Sequence, residues 1–309
     1  MKIVITNPSG LTENQVQELK QLGEVDVYKD TNNDNYAERV ASAEIAVLDC
    51  FLTPITSELL AKTPDLKFFS INSTGFDKVD VVATKNAGVV ASNVPHFSTN
   101  SVAEMAIGLM FAANRKIALG DKEFRNGLIA VDPGTPEQAR FSGFDLTGKT
   151  IGVIGLGDIG SRIAEIGNGI GMSVIAYNRT DKNLPNVKQV SLTELFESSD
   201  VVVLALALND QTKGIITKEL IESMKKSAIF VSIAGLDLTD QDALKNALNN
   251  GLIAGAGIDT ASQDWTEGKN TVLTPHNGYN TRESDENMGR IITENIKAYI
   301  DGKPINQIV

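Results

Sequence analysis

Short apolar runs alternate with segments of helical periodicity through the first hundred residues. The strand-like runs cover residues 2–6, 25–28, 45–49, 67–71 and 89–91. The helical segments between them cover residues 12–22, 35–41, 56–61 and 79–86. Regular alternation of strands and helices predicts a parallel sheet with helices on both faces, which is the doubly wound α/β arrangement.

The second half of the chain repeats this alternation. Strand-like runs cover residues 151–154, 173–177, 200–206, 228–233, 252–258 and 272–276, and helical segments cover 217–225, 239–249 and 283–300. The runs are apolar almost throughout, as in strands that are buried on both faces. Because 309 residues exceed one ordinary core, we expect an α/β protein of two doubly wound parallel-sheet domains.

The segment 100–120 is apolar on most of its circumference. A helix of this kind must be buried on more than one side. Periodicity alone leaves two interpretations open, a central core helix or a helix at an interface with a second subunit. The following residues, 121–148, are richer in glycine, proline and charge, which predicts a loop region.

One glycine-rich turn carries the clearest functional signal. The apolar run 151–154 is followed by Gly155, Gly157 and Gly160 in the spacing G-x-G-x-x-G, then by a helical segment and the run 173–177. In such a turn the first glycine allows the tight bend, the second lets the backbone approach a pyrophosphate, and the third lets helix and strand pack closely. The N–H groups at the helix start attract the phosphates. The sequence therefore predicts a dinucleotide site.

The composition narrows the possible partners and the compartment. The net charge is −11 and the pI is near 4.8, so we expect neither nucleic acid nor an anionic membrane as the main partner. The single cysteine, Cys50, excludes an intrachain disulfide and a cysteine-rich metal site, and no metal is expected. The first apolar run is too short for a signal peptide, and no run approaches 18 apolar residues. We expect a cytoplasmic protein without membrane spans.

Five phrases of the sequence occur in a characteristic order: STGFDKVD at 73–80, NVPHFSTNSVAE at 93–104, GKTIGVIGLGDIG at 148–160, GAGID at 255–259 and TPH at 274–276. Together they resemble the D-isomer-specific 2-hydroxyacid dehydrogenases. The resemblance implies two Rossmann-like domains with a cleft between them. One is a substrate-binding, flavodoxin-like domain of residues 1–99 plus 287–309, and the other is a dinucleotide-binding Rossmann domain of residues 100–286. The resemblance also implies a homodimer, because the apolar helix after Asn100 resembles the dimer arm of that family.

The resemblance assigns the acid/base chemistry to His276. An imidazole titrates near neutral pH, so it can give a proton to a keto oxygen and take it back in the reverse reaction. Asp264 stands where the family has a glutamate that holds this histidine, and Trp265 follows where a proline is usual. The alternative for Asp264 is a solvated loop carboxylate. We interpret the other histidine, His96, as structural.

The largest departure from the family is at Gly235. The family has an arginine there that orients the keto acid, and this chain has no basic residue between Lys226 and Lys245. An arginine fork binds a carboxylate and a carbonyl together in a way that few residues imitate. Either another cation, Arg282, Arg140 or Arg125, takes this role, or the usual reaction is impaired. The backbone N–H groups of Thr74, Gly75 and Phe76, which resemble the family's nest for the substrate carboxylate, are retained.

The end of the second strand of the nucleotide-binding motif indicates which nicotinamide is bound. Asn178 lacks the carboxylate that an NAD-selective site places there, and Arg179 with Thr180 offers a cation and a hydroxyl to a 2′-phosphate. NADP is favoured, and NAD is possible if Arg179 only covers the adenine. The resemblance adds further cofactor-binding positions, namely Thr99, Asp158, Ile159, Thr212, Ile233, Asp259 and Gly278, together with His276.

Two functions remain open from the sequence. The first is an oxidoreductase that transfers a hydride between NAD(P)H and a small 2-keto acid or D-2-hydroxy acid. The second is a dinucleotide-binding sensor or interaction protein that kept the fold and lost efficient turnover. Gly235 and Asp264 favour the second function, whereas His276, the 74–76 nest and the glycine turn favour the first.

Overall fold

The structure is a computed structural model that describes residues 1–8, 10–260, 265 and 270–309. The chain divides into two compact units, Met1–Ser98 with Asn280–Val309 (unit 1) and Thr99–Tyr279 (unit 2). The unit boundaries lie at 98/99 and 279/280, whereas the expected domain boundaries were at 99/100 and 286/287. The roles expected of the two domains stay predictions.

Residues 1–98 contain β1 (Lys2–Ile5), α1 (Glu13–Lys20), β2 (Glu24–Val27), α2 (Tyr36–Val40), β3 (Ile45–Leu48), α3 (Ser57–Ala61), β4 (Phe68–Ile71), α4 (Val81–Asn86) and β5 (Val90–Ser92). Residues 99–279 contain α5 (Thr99–Asn114), α6 (Ile117–Arg125), α7 (Pro136–Arg140), β6 (Thr150–Ile154), α8 (Asp158–Gly169), β7 (Ser173–Tyr177), β8 (Val187–Gln189), α9 (Leu192–Ser198), β9 (Val201–Leu204), α10 (Lys218–Glu222), β10 (Ile229–Ser232), α11 (Gln241–Asn249), β11 (Gly255–Ile258) and β12 (Thr271–Leu273). The chain returns to unit 1 with α12 (Arg282–Ile300).

Unit 1 is built on a five-stranded parallel sheet in the order β2-β1-β3-β4-β5. The residues of β3 and β4 are all buried, as their continuous apolar character requires. The last helix covers one face of this sheet, where Met288, Ile292 and Ile296 pack with Ile3 and other core residues. This order places the carboxyl ends of the neighbouring strands β1, β3 and β4 side by side. Sheets of this type bind ligands beyond the carboxyl ends of their strands.

Unit 2 is built on a seven-stranded parallel sheet in the order β12-β11-β10-β9-β6-β7-β8. The strand order reverses between β9 and β6, because β7 and β8 follow β6 on one side and the later strands continue on the other. Ligands bind beyond the carboxyl ends of the strands at such a switch point. The expected α/β architecture of two doubly wound parallel sheets is confirmed.

The apolar helix α5 is a core helix of unit 2. It packs against α8, β10 and β11, and Ala106, Met110 and Ala113 are fully buried. Close packing on β11 requires a glycine in that strand, because a Cβ at Gly257 would lie 2.7 Å from the Cβ of Leu109. Packing within unit 2 therefore explains the buried face of α5, whereas Phe111 of the same helix is 38% exposed.

The prediction of loop between 121 and 148 was too simple, and β8 and α9 were not predicted. The loop region holds the end of α6 and the short α7, which has Pro136 in its first turn after the cap of Thr135. Helix α9 buries only Leu195 and Phe196, which is too little for a periodic signal. No helix among the described residues is long and apolar enough to cross a membrane.

Candidate functional site

Two of the three motif glycines of unit 2, Gly155 and Gly160, are required by the structure, and the third lies in open space. Gly155 has a φ of +93°, and a Cβ there would lie 2.8 Å from the carbonyl oxygen of Ala205. A Cβ at Gly160 would lie 1.8 Å from the carbonyl oxygen of Gly155, so only glycine allows this close packing. Gly157 has no other atom within 4 Å of a Cβ position, which leaves its backbone open to a ligand.

The start of α8 offers hydrogen-bond donors beside this turn. The N–H groups of Gly157, Ile159 and Gly160 have no acceptor in the part of the chain that the structure describes. Asp158, the first residue of α8, is exposed. Unpaired donors at the positive end of a helix dipole bind phosphate, so the turn fits a dinucleotide pyrophosphate.

The Asn178 side chain fixes the end of β7 to the glycine turn. Its Oδ1 accepts the N–H of Leu156 at 3.0 Å, and its Nδ2 donates to the carbonyl oxygen of Thr180 at 2.8 Å. The amide is therefore used within the protein and adds no charge. Arg179 extends beyond it, and its Nη1 donates to Oε1 of Gln211 at 2.7 Å.

Thr212 closes the loop that carries Gln211. Its hydroxyl donates to the carbonyl oxygen of Ala207 at 2.8 Å and accepts the N–H of Asn209 at 2.8 Å. Oδ1 of Asn209 in turn accepts the N–H of Gln211 at 2.9 Å. Gln211 was not predicted, because a polar loop residue without a motif gives no signal in the sequence.

Asp259 organises the turn after β12. The residue is 2% exposed, and its Oδ1 accepts the Thr274 hydroxyl at 2.5 Å and the N–H of Asn277 at 3.2 Å. Its Oδ2 accepts the N–H of Gly278 at 3.0 Å, and its carbonyl oxygen accepts the N–H of His276 at 2.6 Å. One buried residue thus holds the whole turn.

His276 is presented to solvent by this turn. It has a φ of +53° and an exposed side chain, and its ring meets the edge of Tyr279 at 6.0 Å between centroids. Gly278 is needed beside it, because a Cβ there would lie 2.7 Å from Oδ2 of Asp259. Asp264 lies outside the described residues. Its neighbour Trp265 is buried in the core, where Nε1 donates to Oε1 of Gln241 at 3.3 Å.

Gly235 follows β10 in an ordinary extended conformation, with φ −58° and ψ +137°. A Cβ at this position would meet no atom within 4 Å. Neither the backbone nor the space therefore requires glycine here. Of the other expected cofactor positions, Ile233 donates its N–H to the carbonyl oxygen of Leu204 at 3.3 Å, and Thr99 is the first residue of α5.

The cations considered as replacements are differently placed. Arg125 pairs with Asp121 at 2.9 Å, and Arg140 pairs with Glu137 at 2.7 Å and with Glu123 at 3.2 Å. Their charges are compensated on the surface. Arg282 is the exposed first residue of α12 in unit 1 and is in no ion pair with a described residue. Among the described residues, no group of three or more His, Cys, Asp or Glu could hold a metal ion.

The segment 74–76 of unit 1 exposes its N–H groups. Its carbonyl oxygens are tied back, since Asn93 donates to that of Thr74 at 2.8 Å and the Ser73 hydroxyl donates to that of Gly75 at 2.8 Å. The Thr74 hydroxyl donates to Val94 at 2.7 Å. None of the three N–H groups has an acceptor among the residues described. Three successive exposed donors fit a carboxylate.

A second polar centre of unit 1, Asp49, was not predicted. Its Oδ2 accepts the side-chain amides of Asn7 at 2.9 Å and Asn72 at 3.2 Å, at the carboxyl ends of three adjacent strands. Its Oδ1 accepts the N–H groups of Phe51 and Leu52, each at 3.1 Å. Asp49 therefore sets the conformation of the loop after β3.

This loop places the Phe51 side chain beside Gly75, one of the residues with an exposed N–H group. Phe51 and Leu52 are each 54% exposed, and Phe76 is 42% exposed. The Phe51 ring approaches Gly75, with Cζ at 3.6 Å from the position of a Cβ. An exposed phenyl ring next to unpaired donors suits an anion that also carries an apolar group.

The chain was compared with known protein families and proteins, and the matching family model lies within unit 2. The family model described as D-isomer specific 2-hydroxyacid dehydrogenase, NAD binding domain, matches residues 107–278. The D-3-phosphoglycerate dehydrogenase of Methanocaldococcus jannaschii is 32% identical over 100% of this chain, which spans 59% of that protein's length. The glyoxylate reductase of Thermococcus onnurineus is 31% identical over 98% of this chain and 93% of its own length.

Solved structures share the whole architecture. An acyclic imino acid reductase, Bsp5, solved in complex with NADPH and D-Arg, is 34% identical, covers 100% of both chains and superposes with a TM-score of 0.90. The similarity therefore includes both units.

Proposed function

We propose that this chain, which belongs to the family of D-isomer-specific 2-hydroxyacid dehydrogenases, reduces 2-keto acids to D-2-hydroxy acids with NADPH. Hydride transfer between a nicotinamide dinucleotide and a 2-keto or 2-hydroxy acid is the reaction class of the family. The observation that carries the proposal is the turn held by Asp259. This turn presents His276 at the carboxyl ends of the strands of the unit 2 sheet, and the glycine turn follows a strand of the same sheet at its carboxyl end.

The choice of NADPH rests on Arg179. No described carboxylate lies within 4 Å of its guanidinium, which donates to the neutral side chain of Gln211. The cation is thus available to a 2′-phosphate, and the neutral Asn178 does not repel one. The similar Bsp5 structure contains NADPH.

Proton transfer is assigned to His276. A bound nicotinamide supplies the hydride to the keto carbon. His276 gives the accompanying proton to the keto oxygen, so that the carbonyl becomes an alcohol, and it takes the proton back in the reverse direction. Asp259 acts only as a positioning residue, because its carboxylate is used by three donors of the turn.

The substrate class follows from the surroundings of the 74–76 donors. These donors take the substrate carboxylate, and Phe51, Leu52 and Phe76 then face whatever is attached to the keto carbon. Contact with these side chains favours a large apolar substituent, since each buried methylene contributes about 0.8 kcal/mol. We therefore expect a preference for branched or aromatic 2-keto acids over glyoxylate.

The absence of an arginine at residue 235 favours a second candidate function, the reduction of imino acids. A protonated imine carries its own positive charge, so it needs no cation to polarise it, and an adjacent guanidinium would repel it. Gly235 provides an uncharged, open position. The Bsp5 enzyme, which is 34% identical to this chain, is an acyclic imino acid reductase.

The assembly proposed is a cytoplasmic homodimer formed through α6 and the segment after it. None of the nine residues of α6, all of them described, is buried. Ile117 and Phe124 lie seven positions apart on one face of α6 and are 55% and 61% exposed, and Ile129 is 83% exposed. Apolar groups exposed in this way indicate a protein interface, and the symmetric partner with the same patch is a second copy.

A steady-state screen tests these assignments together. Glyoxylate, pyruvate, 2-ketoisocaproate and phenylpyruvate are compared with NADPH and NADH, each with and without methylamine, which converts keto acids to imines. Faster NADPH oxidation with the larger keto acids supports the main proposal, and turnover that depends on methylamine supports the second candidate. Tight NADPH binding without any turnover would instead support the dinucleotide sensor.

A further inference from the structure

Arg179 and Gln211 lie on two different loops at the carboxyl edge of the unit 2 sheet. They are 32 positions apart in sequence, follow β7 and β9 respectively, and are both exposed. The hydrogen bond between them, at 2.7 Å, links the loop after β7 to the loop after β9 through side chains. A side chain as long as arginine loses considerable rotamer freedom when it is held in this way.

We infer that Gln211 is a specificity-determining positioning residue, which holds the Arg179 guanidinium for the 2′-phosphate of NADPH. The inference rests on the proposed preference for NADPH. Its physical basis is that an amide oxygen fixes the direction of the guanidinium without compensating its charge. A carboxylate in the same place would hold Arg179 equally well but would neutralise it and repel the phosphate.

The loop is itself built to keep Gln211 in position. The N–H of Gln211 is held by Asn209, and Thr212 ties the loop to Ala207 and Asn209. Two carboxylates are close in sequence, Asp181 and Asp210, but neither forms an ion pair with Arg179. Arg179 therefore contacts the neutral side chain of Gln211 and not one of the two nearby carboxylates.

Calorimetric titration with 2′,5′-ADP and 5′-AMP isolates the phosphate contact from catalysis. We expect Gln211→Glu to weaken 2′,5′-ADP binding by about tenfold or more, because the new carboxylate competes for Arg179, and to leave 5′-AMP binding unchanged. Gln211→Met, which keeps the length but removes the acceptor, should weaken 2′,5′-ADP binding by a few fold. Gln138→Glu, an added charge on α7 of the same unit, is the control and should bind both nucleotides as wild type does.

A second background shows whether Gln211 acts through Arg179. In Arg179→Ala, the further change Gln211→Met should have no effect on 2′,5′-ADP affinity, because the side chain that it positions is gone. Wild-type affinity in both Gln211 variants, with a wild-type protein that still prefers 2′,5′-ADP, would overturn the inference alone. Equal binding of the two nucleotides by wild type would overturn the NADPH proposal, and the inference with it.

Discussion

His276 donates its main-chain N–H to the carbonyl oxygen of Asp259 at 2.6 Å, in a turn whose other N–H groups are held by the Asp259 carboxylate. The left-handed φ of +53° at His276 costs about 1 kcal/mol or more for a residue with a side chain. Strain of this kind persists only where the surroundings impose it, and it is concentrated at functional sites. The strained backbone of this turn therefore lowers the stability of the fold slightly and fixes the orientation of the His276 imidazole.

Replacement of His276 by asparagine tests the acid/base role. Asparagine tolerates the left-handed conformation, so the turn is kept while the proton donor is lost. We expect keto-acid turnover to fall by about 10² to 10⁴ and NADPH binding to stay within a few fold of wild type. The other histidine provides the control, because His96 also has a positive φ, +63°, and an exposed side chain. A His276→Asn enzyme as active as His96→Asn would remove His276 from the mechanism.

Local sequence predicted those structural features of the candidate site that depend on chain neighbours. The glycine turn is one example, because Gly155 and Gly160 pack against each other within a single βαβ unit. Asp49 and Gln211 could not be predicted, because their partners Asn7 and Arg179 are 42 and 32 positions away. Only the order of the strands brings such loop residues together.

The periodicity of α5 could not decide between core and interface for a related reason. Burial between α8 and the sheet of one unit and burial against a second subunit both require the same apolar circumference. The structure buries most of the apolar side chains of α5 within unit 2, but it leaves Phe111 of α5 38% exposed, as well as Ile117 and Phe124 of α6. The proposed dimer therefore rests more on α6 and the residues that follow it than on α5.

Two charges on that surface should dissociate the dimer. We expect Phe124→Glu combined with Ile129→Glu to be monomeric at micromolar concentration by light scattering, because four carboxylates would be buried at a symmetric interface. Val82→Glu is the matched control, since Val82 is 69% exposed on α4 of unit 1. A dimeric double variant would place the interface elsewhere, and a monomeric wild type would exclude it.

Alkaline pH should destabilise unit 1 through Tyr36. Burial raises the pKa of the Tyr36 phenol well above its usual range, and the hydroxyl has no hydrogen-bond partner among the described residues. When the pKa of a group is higher in the folded than in the unfolded protein, its protonated form stabilises the fold. This stabilisation is complete below the pKa of the unfolded protein, about 10, and is lost as the pH rises through the pKa of the folded protein. The free energy of unfolding should therefore decrease above about pH 10.

Tyr36→Phe removes both effects. We expect its free energy of unfolding in urea to exceed that of wild type by about 1 kcal/mol at neutral pH, since an unsatisfied hydroxyl is removed, and by more above about pH 10. Burial also raises the pKa of Cys50, but that thiol is present in both proteins. Tyr28→Phe, at a partly exposed tyrosine, serves as the control. A constant difference across the pH range would contradict the role of Tyr36.

Gly235 decides between the two reductions. Its φ of −58° suits any residue and its Cβ position is open, so Gly235→Arg is compatible with the fold, and Gly235→Ala controls for the loss of glycine. If the protein reduces keto acids with too little charge stabilisation, the new guanidinium should raise keto-acid kcat/KM by about 10²-fold. If it reduces protonated imines, the same cation should lower kcat/KM for the methylamine adduct by repulsion.

Arg282→Ala tests a third case, because loss of activity in that variant would identify Arg282 as the cation already in use. No change in any of these variants would mean that residue 235 does not face the reacting group.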